Sequence, residues 1–262
     1  MSSTFLIDVH AHLEDEKFSE DVRDTINRAS EAGVKKIINA GCSIPECEAI
    51  IKLSEEYPEC YSIVGVHPHN AKEFVEGDLE RITDFTKHNK VLGIGEIGLD
   101  YFYDFAPKDL QIEVFQKQWE LAAKLNLPVE LHIRDAYDDF FPSIKGLPQP
   151  PKVMLHCFSG DMNIARTALD MGFEFSIGGV LTFNRSEETR QIFKFIPDNR
   201  IHLETDCPYL APQGKRGKRN EPAYVAITLE YLAKVKCCSV EHITEVLYNN
   251  AKSFFGTKLG LE

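Results

Sequence analysis

Short runs that read as strands alternate eight times with longer runs of helical spacing, and this repetition restricts the possible folds more than any other feature of the chain. Strands are expected at 7–13, 34–40, 61–67, 91–97, 128–134, 152–157, 173–179 and 201–206. Helical stretches are expected at 18–32, 44–57, 78–88, 108–126, 161–171 and 185–196, with a shorter one after Asp135 and two final ones near 222–235 and 239–252. Gly33 can take the backbone conformation that ends a helix and Pro58 cannot continue one, so both act as stops. Eight βα units in 262 residues match the strand count and length of a (β/α)8 TIM barrel, in the α/β class. An open doubly wound sheet has fewer strands and needs a glycine-rich phosphate loop near its start, which Gly41 and Gly65 do not supply. No linker or low-complexity tract interrupts the pattern, so 1–262 reads as a single domain.

In such a barrel the functional side chains sit at the carboxyl ends of the strands. Here the first strand ends in His10 and His12, the third in His67, the fourth in Glu96, the fifth in His132 and Arg134, the sixth in His156, and the eighth in Glu204 and Asp206. Strand alternation sets Asp8, His10 and His12 opposite Ile7, Val9 and Ala11, His132 opposite Leu131 and Ile133, and Asp206 opposite Leu203 and Thr205. The polar set therefore faces inward. Interior carboxylates and imidazoles are costly unless paired or metal-bound, and a purely structural barrel would carry Val, Ile and Leu there. A divalent metal site is the economical explanation. His10, His12, His132 and His156 with Glu96 and Asp206 are too many ligands for one tetrahedral ion but enough for two, with Glu96 placed to bridge them. Two ions sharing a water lower its pKa and clamp the attacking and leaving oxygens, so hydrolysis is the expected reaction.

The segments Asp8-Val9-His10-Ala11-His12, Gly65-Val66-His67-Pro68, Gly95-Glu96-Ile97-Gly98-Leu99-Asp100, Leu131-His132-Ile133-Arg134, His156-Cys157-Phe158-Ser159-Gly160 and Glu204-Thr205-Asp206-Cys207-Pro208-Tyr209 resemble the successive motifs of the TatD family of metal-dependent deoxyribonucleases. The resemblance spans essentially the whole chain, and six motifs in one order are far more specific than any one alone. It implies a TIM-barrel metallohydrolase that cleaves DNA phosphodiesters, with metal on His10, His12, Glu96, His132, His156 and Asp206. It also implies exonuclease action on single-stranded ends. Related amidohydrolase and phosphotriesterase groups often bridge their metals with a modified lysine on strand four, where this chain offers Glu96 and no lysine. Asp206 is expected to serve as both ligand and general base, and Glu96 as the second catalytic residue. Histidine-rich ligation favours Zn²⁺ or Mn²⁺ in the resting protein, while Mg²⁺ can arrive with a phosphodiester substrate. The same metal pair would suit another ester, such as the aminoacyl ester of a mischarged transfer RNA or a small phosphodiester or amide.

Substrate contacts are expected from His67, Arg134, Glu204 and the basic segment 214–220. Arg134 can fork onto a phosphate, or pair with Glu130. His67 can touch substrate or support a ligand, and Glu204 can orient a ligand or pair with His202 or Arg134. Lys215, Arg216, Lys218 and Arg219 lie just past strand eight, where barrel enzymes frequently hold phosphate; plain solvated surface is the alternative. A formal net charge of −12 argues against coating nucleic acid by bulk electrostatics, so such local cations or a metal must hold any polyanion. Tyr101, Phe102, Tyr103 and Phe105 can stack on an unpaired base or merely pack the barrel mouth. Cys157 and Cys207 adjoin candidate ligands but alternate to the other face, as packing residues. The seven cysteines form no paired spacing and suit a reducing compartment. With no bilayer-spanning run and no signal-like start, the expected location is the cytoplasm, with the nucleus as alternative. A monomer without obligate protein partner is expected.

Overall fold

The computed structural model describes residues 5–261. Its eight parallel strands follow chain order around one sheet: β1 (Leu6–Ala11), β2 (Val34–Ala40), β3 (Cys60–Val64), β4 (Val91–Asp100), β5 (Val129–Arg134), β6 (Val153–Leu155), β7 (Glu174–Ile177) and β8 (Ile201–Leu203). Among the described residues nine helices surround them: α1 (Val22–Glu31), α2 (Ile44–Glu56), α3 (Asp78–Phe85), α4 (Lys108–Leu125), α5 (Tyr137–Ser143), α6 (Met162–Asp170), α7 (Glu187–Phe195), α8 (Val225–Lys236) and α9 (Val240–Phe255). This is the (β/α)8 barrel that the sequence pattern predicts.

The seam between β8 and β1 is closed by the chain just beyond β8. Asp206 N–H donates to the His10 carbonyl at 3.0 Å, and His12 N–H donates to the Cys207 carbonyl at 2.9 Å. The Asp8 carboxylate adds a side-chain latch, accepting the Thr205 N–H at 2.8 Å and the Thr205 hydroxyl at 2.5 Å. These bonds stand in for a full strand ladder. A consequence is that Asp206 is tied directly to the backbone of His10.

Two packing layers hold the barrel. Leu131 and Ile133 of β5 belong to the outer cluster with Val114, Phe115 and Trp119 of α4, all nearly dry. A second cluster, of Ile38, Tyr61, Ile63, Leu92 and Met154 with Tyr248, Phe254 and Phe255 of α9, fills the end where the strands begin. Burying such side chains stabilises each by about 1.5–3 kcal/mol and leaves only the opposite end open for polar groups.

Several boundaries differ from the sequence expectation, for a common reason. β3, β6 and β8 stop early, so His67, His156, Glu204 and Asp206 sit just past a strand end rather than within it. Past those ends the backbone keeps only single bonds to the neighbouring chain, His67 N–H to the Cys42 carbonyl and His156 N–H to the Leu131 carbonyl, both at 2.9 Å, and no regular ladder continues. β4 instead runs on to Asp100, because its pairing with β5 continues to Arg134. That pairing depends on Gly98, whose φ is +143°; a Cβ there would lie 2.0 Å from the His132 carbonyl oxygen. Strict alternation fails in β1. Its register against β2 shifts between Asp8 and Ala11, so Ile7 and Val9 join the inner cluster while Ala11 joins the outer one. Asp8 turns to the seam, leaving His10 and His12 to the barrel mouth.

Candidate metal centre

Glu96 projects from β4 into the mouth of the barrel, buried, with its two carboxylate oxygens turned to two different groups of imidazoles. Oε2 lies 3.7 Å from His10 Nε2 and 3.9 Å from His12 Nε2. Oε1 lies 2.8 Å from His132 Nδ1, 3.5 Å from His156 Nε2 and 3.6 Å from His67 Nε2. Asp206 closes the first group, its Oδ1 standing 3.7 Å from His10 Nε2 and 3.6 Å from His12 Nε2. The structure thus brings all six residues of the expected ligand set together around one carboxylate. The turns that aim them are sharp: Asp206, Cys157 and Asp135 all take positive φ, at +56°, +42° and +52°, within a few residues of the ends of β8, β6 and β5. Left-handed backbone costs a non-glycine residue of order 1–3 kcal/mol and is tolerated where the surroundings dictate a side chain's direction.

Behind each of four imidazoles stands a second carboxylate. His10 Nδ1 contacts Glu130 Oε1, His12 Nδ1 lies 3.4 Å from Glu14, His132 Nε2 lies 2.9 Å from Asp100, and His156 Nδ1 lies 3.0 Å from Glu204. Such a partner fixes the tautomer and leaves the opposite ring nitrogen as a lone-pair donor. For His10 and His12 those opposite nitrogens, both Nε2, are only 3.0 Å apart. Two nitrogens this close need a proton or a metal ion between them, and with the carboxylate oxygens of Glu96 and Asp206 beside them the donor set fits a divalent metal.

The electrostatics agree. Burial alone would raise Glu96, but the imidazoles of His67, His156 and His10 hold its carboxyl well below the usual range. Burial opposes charge on His156, yet Glu204 and Glu96 outweigh it and push that imidazole up to about 10. Glu130 is driven well above the ordinary carboxyl range by burial, and His10 well below the ordinary imidazole range by burial with His156 beside it.

Other expected contacts divide. His67 belongs to the cluster, 3.6 Å from Glu96, and accepts the His69 N–H on its Nδ1 at 3.1 Å. Glu204 is corrected as a substrate contact: it is fully buried beneath His156, where the alternative of supporting a ligand fits, and it also accepts the Ser176 hydroxyl at 2.5 Å. Its alternative partner His202 pairs instead with Glu174 at 2.8 Å. Arg134 does not pair with Glu130; its guanidinium lies 3.8 Å over the Phe102 ring. Arg219 is also corrected, being engaged by Asp21 through both nitrogens at 2.6 and 2.7 Å and laid over Phe18. Arg216 and Lys218 are exposed, Lys215 half-buried; Lys215 lies over Tyr224 and Arg216 over Phe183. Cys207 is buried as packing, whereas Cys157 is half-exposed. The sequence reading missed Glu14 and did not assign Glu130 or Asp100 to the site. Glu130 was detectable, since it shares the inward parity of His132 on β5.

The chain matches the family described as TatD related DNase over residues 7–256. It is 40% identical over 252 residues to a Bacillus subtilis protein described as an uncharacterized metal-dependent hydrolase, YabD, with 95% of this chain and 98% of that one covered. A Salmonella typhimurium protein named 3'-5' ssDNA/RNA exonuclease TatD is 33% identical over 256 residues, covering 95% and 98%. The solved structure of the TatD homologue YjjV from Escherichia coli superposes with a TM-score of 0.90 at 30% identity, covering 95% of this chain and 97% of that one. No helix among the described residues is long and apolar enough to cross a membrane.

Proposed function

This chain belongs to the TatD-related DNase family of metal-dependent hydrolases, and on that premise we propose that it cleaves DNA phosphodiester bonds as an exonuclease on single-stranded ends, with two divalent ions. The observation that carries the two-ion reading is the division of Glu96: Oε2 toward His10 and His12, Oε1 toward His132 and His156. In this reading His10, His12 and Asp206 hold one ion, His132 and His156 the other, and Glu96 both. Ions there would supply Lewis acidity, making a water nucleophilic near neutral pH and stabilising the attacking and leaving oxygens.

The chain's own groups do the rest. Asp206 keeps 14% side-chain exposure where Glu96 keeps 4%, so Asp206 is the carboxylate that incoming water reaches and the one positioned to take its proton. Glu130, Asp100 and Glu204 hold His10, His132 and His156 in the orientation that leaves a donor atom on the cluster side. Arg216 and Lys218 are the exposed cations beyond β8 that can receive a strand's backbone. Single-stranded ends are favoured by the likeness to an exonuclease and by an acidic molecule without the bulk charge to grip duplex.

The test is hydrolysis of end-labelled single-stranded DNA by protein stripped of metal and then given Zn²⁺, Mn²⁺ or Mg²⁺, with Asp206→Asn alongside. Stepwise shortening that needs metal and is lost in the variant is the expected result. DNA left intact by protein that takes up metal would overturn the substrate, and aminoacylated transfer RNA and small esters would be assayed next.

A further inference from the structure

The loop that follows β4 carries three large rings in solvent, Phe102 at 54% exposure, Tyr103 at 42% and Phe105 at 53%. Rings left in water forgo the gain of burial, and a cluster of them beside a polar cleft marks a contact surface. The geometry points to this ledge as the seat for an unpaired nucleobase at the end of the strand being cut, an inference that rests on the nucleic-acid reading above.

The rings form one platform. Tyr103 and Phe105 stack at 5.3 Å with their planes 22° apart, and Phe102 meets Tyr103 edge-on at 4.8 Å. The Arg134 guanidinium covers Phe102, adding a cation–π contact while its fork of N–H groups stays available to a phosphate. Tyr101 is not part of the platform: its hydroxyl donates to Asp139 at 2.9 Å, on the α5 side.

Position supplies the second argument. Asp100 Oδ1 accepts the N–H of Phe102 at 2.9 Å and of Tyr103 at 3.2 Å. Its Oδ2 pairs at 2.9 Å with both His69 Nε2 and His132 Nε2. His69 in turn meets Phe105 edge-on at 4.7 Å. One buried carboxylate therefore fixes both the ledge and the imidazole that touches Glu96, so a base on the rings holds its own backbone beside the metal cluster. Aliphatic side chains are absent from the run Phe102-Tyr103-Asp104-Phe105, which suits a flat, sequence-tolerant partner rather than a lipid surface.

The test compares two single-stranded oligonucleotides of equal length, one ordinary and one ending in abasic tetrahydrofuran residues, cut by Mn²⁺-loaded protein. Wild type is expected to favour the base-bearing end about tenfold or more in kcat/KM, the size of one stacking contact. Phe105→Ala is expected to erase most of that preference, chiefly through KM, while Phe105→Tyr retains it. A 2-aminopurine placed at the strand end should be quenched on binding to wild type and less so with Phe105→Ala, a readout that needs no turnover. Equal cutting of both ends by wild type, or equal loss on both in Phe105→Ala, would overturn the ledge and leave the nuclease reading standing. Wild type that cuts neither strand would overturn both.

Discussion

Glu130, Glu204 and Asp100 each stand directly behind an imidazole that faces Glu96, a placement that suits orienting the ring rather than reacting. Glu130→Gln and Glu204→Gln are expected to weaken metal binding about 10–100-fold with the fold intact, read by competition against a chelating dye. Unchanged affinity in both would remove that role. The shift of His156 sets a pH dependence. Its pKa in the metal-free fold is about 10, above the unfolded value of about 6.5, so its charge contributes stability that is complete below about pH 6.5 and is lost as pH rises toward 10. Metal needs the uncharged ring, so uptake should expel a proton and tighten from pH 6 to 9, as calorimetry in buffers of different ionisation enthalpy would show. The residues around Glu96 are legible in the sequence because histidines and carboxylates at inward strand ends are chemically out of place in a barrel core. Of their supports, Glu130 carries the same signal, an inward carboxylate two positions before His132, but which imidazole it serves is not legible, because His10 lies 120 positions away and only the closed barrel brings the two together.

The elements were legible as a count and an order, from eight repeats of apolar alternation and helical spacing, whereas their ends depend on where neighbours stop pairing. β4 outruns its expected end because Gly98 lets it stay against β5. Gly98→Ala is therefore expected to destabilise by more than about 1 kcal/mol and to lower activity by displacing His132, measured by denaturant melts and turnover; a neutral result would contradict the close approach. The segment after β8 is fastened by a smaller network. Asp21 takes Arg219 and Arg28, and the Arg219 hydrogen bond is the main cause holding its carboxyl well below the usual range. Because that folded pKa is depressed, its contribution is present above about pH 4 and fades as pH falls below that value. Asp21→Asn should cost about 1 kcal/mol at pH 7 and a smaller amount at pH 3. A cost that does not shrink in acid would contradict the pairing.

At the scale of the whole molecule, one end of the barrel is plugged by α9 and the other gathers every imidazole that faces Glu96. Closure and site are the same structure: the bonds that join β1 to the chain after β8 also set Asp206 against His10 and His12. A chain with net charge −12 lacks the bulk charge to hold long DNA, so the proposed nuclease activity would depend on the mouth of the barrel and the exposed cations and rings beside it. The two-ion proposal requires the Glu96 carboxylate to be shared between both sites. Anomalous scattering from crystals of the Mn²⁺-loaded protein tests it most directly. Two peaks are predicted, one beside His10, His12 and Asp206 and one beside His132 and His156, with an oxygen of Glu96 on each. A single peak, or two peaks of which Glu96 touches only one, would rule out a shared carboxylate.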